Sequence, residues 1–300
     1  MKNPAYIRLL ETGELKDRVE KAKKMLSECI VCPRDCKVNR RENKTGFCKT
    51  GKNIYVASFF PHHGEEFPIR GNHGSGTIFF SYCNLGCVYC QNYDISQLGE
   101  GKEISPEELA VIMLYLQEEG CHNINWVTPS HIVPQLIEAT YIAAQKGLKI
   151  PIVYNTSSFD SIESLKLLDG IVDIYLADLK YLNEEYGRKY SKVKNYPQVA
   201  KEAIKEMHRQ VGDLKTDKNG IAYRGLLVRH LVLPNDISTT KEVIDFLKSI
   251  SPTMHVNIMA QYHPYYKAYD YPELSRRITT KEYFDALEYA EKVGLNIVKD

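Results

Sequence analysis

Six short apolar runs recur along the chain, and between them apolar residues return at helical spacing. Runs of this length, bounded by polar turns, are typical of strands buried in a parallel sheet. Strands that alternate with helices favour parallel pairing through right-handed crossovers. The six runs that we interpret as strands are Thr77–Phe80, Ile124–Val127, Pro151–Tyr154, Ile171–Leu176, Leu226–Leu233 and Val256–Ala260.

Helix starts are marked by a serine or threonine that is followed three residues later by glutamate, at Ser105, Thr239 and Thr279. A further helix is predicted over residues 5–27. The long stretch 183–222 is expected to hold two helices and a turn. Six strands fall short of the eight that close a full barrel. The pattern therefore predicts an α/β fold, and an open, partial (β/α)6 barrel fits the number of strands.

Composition excludes several classes of protein. The chain of 300 residues has 39 basic and 38 acidic residues, so it lacks the charge excess of a nucleic-acid-binding protein. The sequence contains no apolar run that approaches the length of a membrane span, and its start lacks the apolar core of a signal peptide. Its eight cysteines favour metal ligation in a reducing compartment over disulfides. We expect a cytoplasmic protein with no membrane or nucleic-acid partner.

The most informative segment follows the first predicted strand and has Cys83, Cys87 and Cys90 in the spacing C-x3-C-x2-C. A [4Fe–4S] cluster normally takes four cysteines, so three leave one iron open to a small molecule. A disulfide set would leave one thiol over, and a zinc site usually adds a distant second cysteine pair. An electron-transfer cluster would need a fourth ligand nearby, but the next cysteine is Cys121.

With Tyr89 directly before the last cysteine, this segment resembles the radical SAM superfamily, whose loop reads C-x3-C-x-aromatic-C. The resemblance implies the partial (β/α)6 barrel of the radical SAM type and a [4Fe–4S] cluster on the three cysteines. It also implies that the open iron binds S-adenosylmethionine (SAM) by its amino and carboxylate groups. The reduced cluster would cleave SAM to a 5′-deoxyadenosyl radical, which abstracts hydrogen from a substrate. Tyr89 is counted with the expected cofactor-binding residues.

Ligands bind at the carboxyl ends of parallel strands, so SAM is expected at the end that carries the cysteine loop. After the second strand, Thr128 and Ser130 offer hydroxyl groups where many family members have Gly-Gly-Glu-Pro, a motif that this chain lacks. Ser130 is equally suited to cap the next helix. His131 is a candidate acid or base toward the substrate, or equally a solvated histidine at a helix start. Asn155 follows the third strand as a further cofactor-binding candidate, with turn formation as the alternative.

Charged residues mark the fourth and fifth strands. Asp178 and Lys180 share one face of a strand, and unpaired charges there would be costly, so we expect a ligand or a mutual ion pair. The same Asp-x-Lys in pyruvate formate-lyase activating enzymes holds the amino acid part of SAM. Resemblance to their fifth strand implies that Arg229 contacts the SAM carboxylate and that Leu231 lies near adenine. Their Tyr-His after the sixth strand implies that His263 lies near adenine.

A second cysteine set precedes the barrel. Four cysteines form C-x2-C-P-x2-C-x11-C, namely Cys29, Cys32, Cys36 and Cys48. This closed set suits either zinc or an auxiliary [4Fe–4S] cluster, and spacing does not separate the two. Four exposed free thiols would be reactive, which argues against unliganded cysteines. We therefore predict a helical, cysteine-rich metal-binding module over residues 1–60 and the barrel over residues 61–300.

The placement of this module, with the segment Gly74–Phe80 and Cys90-Gln91-Asn92, resembles a branch of activating-enzyme homologues with unassigned substrates. That resemblance implies a glycine of a partner enzyme as substrate and flavodoxin or ferredoxin as electron donor. Hydrogen abstraction from a small molecule or a peptide side chain is the first alternative. An iron–sulfur electron-transfer protein that never cleaves SAM is the second. The loop from Gly64 to Gly76 is expected to border the barrel mouth and dock a polypeptide, or to serve as a linker.

Overall fold

The computed structural model of the chain describes residues 3–298. The helices are Ala5–Glu11 (α1), Glu14–Lys24 (α2), Phe67–Arg70 (α3), Pro106–Glu118 (α4), Val133–Gln145 (α5), Ile162–Leu168 (α6), Glu184–Ser191 (α7), Tyr196–Val211 (α8), Thr240–Ile250 (α9) and Thr280–Val293 (α10). The strands are Ile54–His62 (β1), Ser75–Phe80 (β2), Lys102–Ile104 (β3), Ile124–Val127 (β4), Ile152–Thr156 (β5), Ile174–Asp178 (β6), Lys215–Thr216 (β7), Ala222–Leu231 (β8), His255–Met259 (β9) and Asn296–Ile297 (β10).

The six predicted strands all occur, as β2, β4, β5, β6, β8 and β9, and each pairs in parallel with the next. The short β10 adds a parallel partner beside β9. The predicted α/β fold and the partial (β/α)6 barrel are therefore confirmed. The fourth strand lies further along the chain than the apolar run suggested, because Asp178 still pairs with Arg229 in the ladder.

Among residues 3–298, four strands were not predicted, namely β1, β3, β7 and β10, and β1 is the longest of them. β1 pairs antiparallel with β2, so that His62 lies opposite Ser75, and β3 pairs with the other edge of β1. An antiparallel extension that is covered on only part of its surface needs no continuous apolar run. Phe59 and Phe60 in β1 are 40% and 41% exposed. The run-based pattern therefore passed over this strand.

Helix starts were predicted with mixed success. The helix expected over residues 5–27 is two helices, because Gly13 adopts φ +80° between α1 and α2. The capping boxes at Ser105 and Thr279 are confirmed. The one at Thr239 is wrong, because its hydroxyl accepts the N–H of Leu182 instead of a helix N–H. As expected, the stretch 183–222 holds two helices, α7 and α8, and a turn before β8.

The glycine-rich loop before β2 closes the barrel end opposite to the one expected. The side chain of Asn123, directly before β4, donates to the backbone oxygen of Ile69 at 2.7 Å. The N–H of His122 donates to the oxygen of Gly74 at 3.1 Å. The expectation that this loop borders the mouth is wrong for residues 67–76, which approach the first parallel strand from the amino ends of the strands. Gly64, Glu65 and Glu66 do reach the cavity at the carboxyl ends. The loop forms the floor of the barrel.

The N-terminal helices pack on the barrel. Tyr6 and Leu15 are fully buried in the same hydrophobic core as Trp126 of β4. The N–H of Ala5 donates to Asp173 Oδ1 at 2.9 Å, directly before β6. The proposed division at residue 60 stays a prediction, and β1 runs across it. Among residues 3–298, the helices are all too short or too polar to cross a membrane.

Candidate cofactor site at the carboxyl ends of the strands

The cysteine loop is anchored by the end of α7. After β2 the backbone turns at Tyr82, which has φ +65°. The N–H of Gly86 then donates to the oxygen of Ser191 at 2.9 Å, and the N–H of Val88 donates to the oxygen of Tyr190 at 2.8 Å. Two backbone hydrogen bonds to one helix end fix the path of the loop.

Each sulfur of the loop has a polar neighbour outside the three cysteines. The pairs are Leu85 N–H with Cys83 Sγ at 3.3 Å, Ser191 Oγ with Cys87 Sγ at 3.1 Å, and Ser96 Oγ with Cys90 Sγ at 3.1 Å. Burial raises the pKa of the Cys83 and Cys87 thiols. A bound metal reverses this preference, since coordination deprotonates a thiol.

The three thiols face one cavity of about 490 Å³, within the usual range for a small-molecule site. Seven of the predicted cofactor-binding residues line it, namely Tyr89, Thr128, Asn155, Asp178, Lys180, Arg229 and Leu231. Within residues 3–298, no three cysteine, histidine or carboxylate side chains converge on a point that would hold one ion. A [4Fe–4S] cluster instead takes its thiolates on separate irons, so the donor chemistry of the loop fits that group.

Three other candidates lie elsewhere. The Ser130 hydroxyl is buried behind the cavity wall, 3.0 Å from the Thr156 hydroxyl. The His263 ring packs against Tyr265, with 3.8 Å between ring centroids. The expectation that His131 acts on the substrate is wrong, because its buried ring lines a different cavity, between the N-terminal cysteines. Burial lowers the pKa of His131 to about 3, so the ring is neutral.

Lys180 and Asp178 form an ion pair at the wall of the cavity. Lys180 Nζ lies 2.9 Å from Asp178 Oδ2. Burial alone would lower the pKa of Lys180, but the Asp178 carboxylate and the nearby Cys87 hold it well above its ordinary value. The ammonium group therefore stays charged. The pair offers one anionic and one cationic group to the cavity.

Glu65 and Glu66 form the floor of the cavity, and the sequence analysis did not predict them as site residues. Arg229 donates from Nε to Glu66 Oε1 at 2.7 Å and from Nη2 to Glu66 Oε2 at 2.6 Å. Its Nη2 also bonds the Glu65 carboxylate. Burial alone would raise the pKa of Glu66, but the Arg229 guanidinium outweighs it and the pKa lies below its usual range. The Glu66 carboxylate is thus ionised, and both glutamates bond the same guanidinium group.

Two asparagines complete this floor. Asn257 Nδ2 donates to Glu66 Oε1 at 2.9 Å, and Asn125 Nδ2 donates to Glu65 Oε1 at 3.1 Å. Buried charges are tolerable when they are paired and hydrogen-bonded in this way. The sequence did carry one signal, since Glu65 and Glu66 lie in the loop from Gly64 to Gly76 that was expected to border the barrel mouth.

Three strand ends around the cavity turn through left-handed backbone. Tyr82, Thr128 and Ser158 have φ of +65°, +63° and +61° and follow β2, β4 and β5. A β-branched residue such as Thr128 is rarely found in this region. Each such residue costs on the order of 1–3 kcal/mol of local strain.

The four N-terminal cysteines line a second, small cavity together with Arg34, Arg40 and His131. Arg40 is almost fully buried, and its Nη1 donates to the His131 oxygen at 2.6 Å. Around this cavity, three of the buried nitrogens that have no hydrogen-bond partner among residues 3–298 come together, namely Arg34 Nη2, Arg40 Nη2 and His131 Nδ1. Buried cations need an anionic partner, and a metal held by four thiolates is anionic. The donor set and its surroundings therefore fit a metal centre.

Comparisons with known proteins agree with the family resemblance of the cysteine loop. A family model described as the Radical SAM superfamily matches residues 77–217. An uncharacterised protein of Methanocaldococcus jannaschii is 37% identical over 291 residues, which cover 94% of this chain and 80% of the relative.

Two solved structures share the fold. Streptococcus suis SuiB bound to S-adenosylmethionine has a TM-score of 0.51 at 12% identity and covers 73% of this chain. Native anSMEcpe with bound AdoMet and a peptide has a TM-score of 0.50 at 12% identity and covers 72% of this chain. The present chain spans 48% of the SuiB chain and 60% of the anSMEcpe chain.

Proposed function

This chain belongs to the radical SAM superfamily, and from that premise we propose that it abstracts hydrogen from a substrate with a radical derived from SAM. The supporting observation is that the thiols of the cysteine loop and the charged ends of β6 and β8 line one cavity. When bound by Cys83, Cys87 and Cys90, a [4Fe–4S] cluster supplies the electron that cleaves SAM. The chain itself binds and orients SAM and excludes water.

In the proposed SAM site, Asp178 meets the ammonium group and Lys180 the carboxylate of the amino acid end. Because Arg229 uses Nε and Nη2 to bond the glutamates, we propose that its Nη1 reaches the SAM carboxylate. Thr128 and Asn155 add polar contacts.

Apolar and outlying residues complete the proposed site. Leu231 and Tyr89 provide apolar walls for the rest of the cofactor. Ser130 acts from behind the wall by holding Thr156, and His263, two residues beyond the lining residue Gln261, lies at the adenine end.

The test is SAM cleavage by anaerobically reconstituted, reduced protein, followed as formation of 5′-deoxyadenosine. Alanine at Cys83, Cys87 and Cys90 together should abolish the product. Cys121→Ala is the matched control, because this buried thiol lies outside both cysteine sets and its loss should leave cleavage unchanged. Undiminished turnover in the triple variant would contradict the assignment.

We also propose that residues 29–48 hold a second metal centre, either zinc or an auxiliary [4Fe–4S] cluster. The support is the shared cavity of four thiols beside buried cationic groups. Metal binding there would add to folding free energy. Elemental analysis and iron spectroscopy on the Cys83/Cys87/Cys90 triple variant would distinguish zinc from iron. Finding neither metal would refute this centre.

For the substrate we propose a polypeptide, with a glycine of a partner enzyme as the target and flavodoxin or ferredoxin as the electron donor. The support is the likeness of the Asp178–Lys180 and Arg229 segments to those of activating enzymes. Both metal centres need reduced thiols, so we place the protein in the cytoplasm. Deuterium that reaches 5′-deoxyadenosine only from a labelled metabolite, and never from a labelled peptide, would favour the small-molecule alternative.

A further inference from the structure

Side chains outside the cysteine motif contact two of its sulfurs. We propose that Ser191 and Ser96 are positioning residues whose hydroxyl groups donate to the Cys87 and Cys90 thiolates and raise the reduction potential of the loop cluster. The proposal rests on the proposed function to the extent that the loop holds a [4Fe–4S] cluster. It goes further by assigning control of the potential to two residues outside the cysteine motif.

Ser191 has a defined hydrogen-bond direction. Its Oγ lies 3.1 Å from Cys87 Sγ and also bonds the hydroxyl of Tyr181. A thiolate can only accept, so the single Ser191 proton must point at Cys87. Tyr181 must then donate to Ser191. The two hydrogen bonds therefore have one direction, with Tyr181 donating to Ser191 and Ser191 donating to the sulfur.

Ser96 repeats this arrangement at the last cysteine of the motif. Its Oγ lies 3.1 Å from Cys90 Sγ and accepts from Gln97 Nε2, also at 3.1 Å. Because the amide already supplies the proton between Gln97 and Ser96, the Ser96 hydroxyl is free to donate to Cys90. Ser96 lies in a short π-helix, Asp94–Leu98, and π-turns of this kind frequently occur at functional sites.

The position of Ser191 in a helix does not by itself explain where its hydroxyl points. A serine inside a helix commonly bonds back to the carbonyl oxygen four residues earlier. Ser191 instead sends its hydroxyl across 104 positions of sequence to Cys87. It is fully buried, so water does not compete for the contact. Its backbone oxygen meanwhile fixes Gly86, so the same residue holds both the loop and one of its sulfurs.

The effect on the cluster follows from charge. One electron from a flavodoxin- or ferredoxin-type donor reduces the cluster, and no covalent bond forms or breaks in that step. The reduced cluster carries one more negative charge, so a donated hydrogen bond stabilises it more than the oxidised cluster. Hydrogen bonds to cluster sulfurs are among the factors that set these potentials. Removing a donor should therefore make the cluster harder to reduce.

The experiment is a potentiometric titration of the full, anaerobically reconstituted chain, followed by electron paramagnetic resonance. The loop cluster is identified as the signal that is lost in the Cys83/Cys87/Cys90 triple variant. Ser191→Ala should reduce the ratio of reduced to oxidised cluster at a fixed potential by about tenfold, which is about 59 mV for a one-electron couple. Ser191→Thr keeps a hydroxyl and should restore most of the potential.

Ser251→Ala is the matched control, because this buried serine bonds Asp213 and lies far from the loop. Its potential should equal that of the unmodified protein. Ser96→Ala provides a second variant at a less buried position and should shift the potential in the same direction. An unchanged potential in both alanine variants, with full iron content, would overturn the proposal.

Failure of this inference is distinguishable from failure of the proposed function. Shifted potentials in a protein that never cleaves SAM would support the serine contacts and refute the radical chemistry. Unchanged potentials in a protein that does cleave SAM would refute the serine contacts alone. An unmodified protein that holds no cluster on the loop would refute both.

Discussion

Arg34 donates its Nε–H to the backbone oxygen of Asn84 at 2.8 Å, across 50 positions of sequence. Arg34 lies among the four N-terminal cysteines, and its guanidinium carbon sits 3.6 Å from the centroid of the Phe47 ring. Asn84 directly follows the first cysteine of the loop, and its side chain donates to the oxygen of Phe159 at 2.7 Å. One arginine therefore joins the two cysteine segments.

This contact predicts that Arg34→Ala weakens both segments together. Loss of a hydrogen bond from a charged group typically costs about 1.5–3 kcal/mol, so the free energy of unfolding in urea should fall by that order. Iron retained by the loop after gel filtration should fall as well. Arg41→Ala is the control, because Arg41 is exposed in the same segment. Equal stability and iron content in the two variants would contradict the prediction.

A second prediction concerns Lys180. Lys180→Ala removes a cation from the cavity wall and leaves Asp178 without its ion-pair partner. Loss of a charge-assisted contact should lower the affinity for SAM by about tenfold or more. Equilibrium binding to protein with an intact cluster measures this. Lys189→Ala, which removes a more exposed lysine paired with Glu273, should bind SAM normally, and an equal effect in both variants would argue against a SAM contact.

A third prediction tests the barrel floor. Arg229→Met leaves Glu65 and Glu66 buried without their cation, and breaking a buried ion pair from one side typically costs about 3–5 kcal/mol. Urea unfolding should show a loss of that size. Adding Glu65→Gln and Glu66→Gln should recover much of it, since the unpaired charges are then gone.

The matched control for the floor is Arg188→Met, which breaks an exposed ion pair with Glu184. Exposed pairs of this kind contribute less than about 1 kcal/mol. The floor network is not needed for stability if Arg229→Met and Arg188→Met cost the same.

A fourth prediction concerns pH. Burial lowers the pKa of His230 from 6.5 to about 4. The neutral ring donates from Nδ1 to the Leu179 oxygen at 2.8 Å and accepts the Thr240 hydroxyl at Nε2, at 3.0 Å. Below pH 6.5 the unfolded chain takes up a proton that the folded chain refuses until about pH 4. Stability contributed by His230 is therefore complete above pH 6.5 and declines as the pH falls.

By linkage, this loss reaches about 2 kcal/mol near pH 5. His230→Gln cannot take up that proton, so its free energy of unfolding should fall less between pH 7 and pH 5 than that of the unmodified protein. Urea unfolding at the two pH values measures the difference. Parallel pH profiles would show that His230 does not titrate as described.

The strands of the barrel could be predicted because each is a short, mostly apolar run that is largely buried, and the cysteine loop because its ligands are neighbours in sequence. The contacts of the cavity floor could not be predicted. Glu65 and Arg229 are 164 positions apart, and only the path of the chain beneath the barrel brings them together. For the same reason the sequence showed Ser191 only as a helical residue, although its hydroxyl lies against a sulfur of the loop.

Thr239 illustrates a different limit. Its spacing to Glu242 satisfies the capping pattern, but a backbone N–H from the β6–α7 connection occupies its hydroxyl. The helix start is served by Asp236, whose carboxylate accepts the N–H of Thr240 at 3.2 Å. A local motif predicts a helix start well only where tertiary contacts do not claim the same side chain.

The left-handed turn at Thr128 bears on how this protein can be engineered. Glycine would adopt the same backbone at lower cost in the folded state, yet it would also loosen a wall of the cofactor cavity and gain freedom in the unfolded chain. The two effects on stability oppose each other, so replacing Thr128 with glycine would add little stability and would loosen the cavity wall. More stable variants are better sought by substitutions on the exposed faces of the outer helices, away from the strand ends.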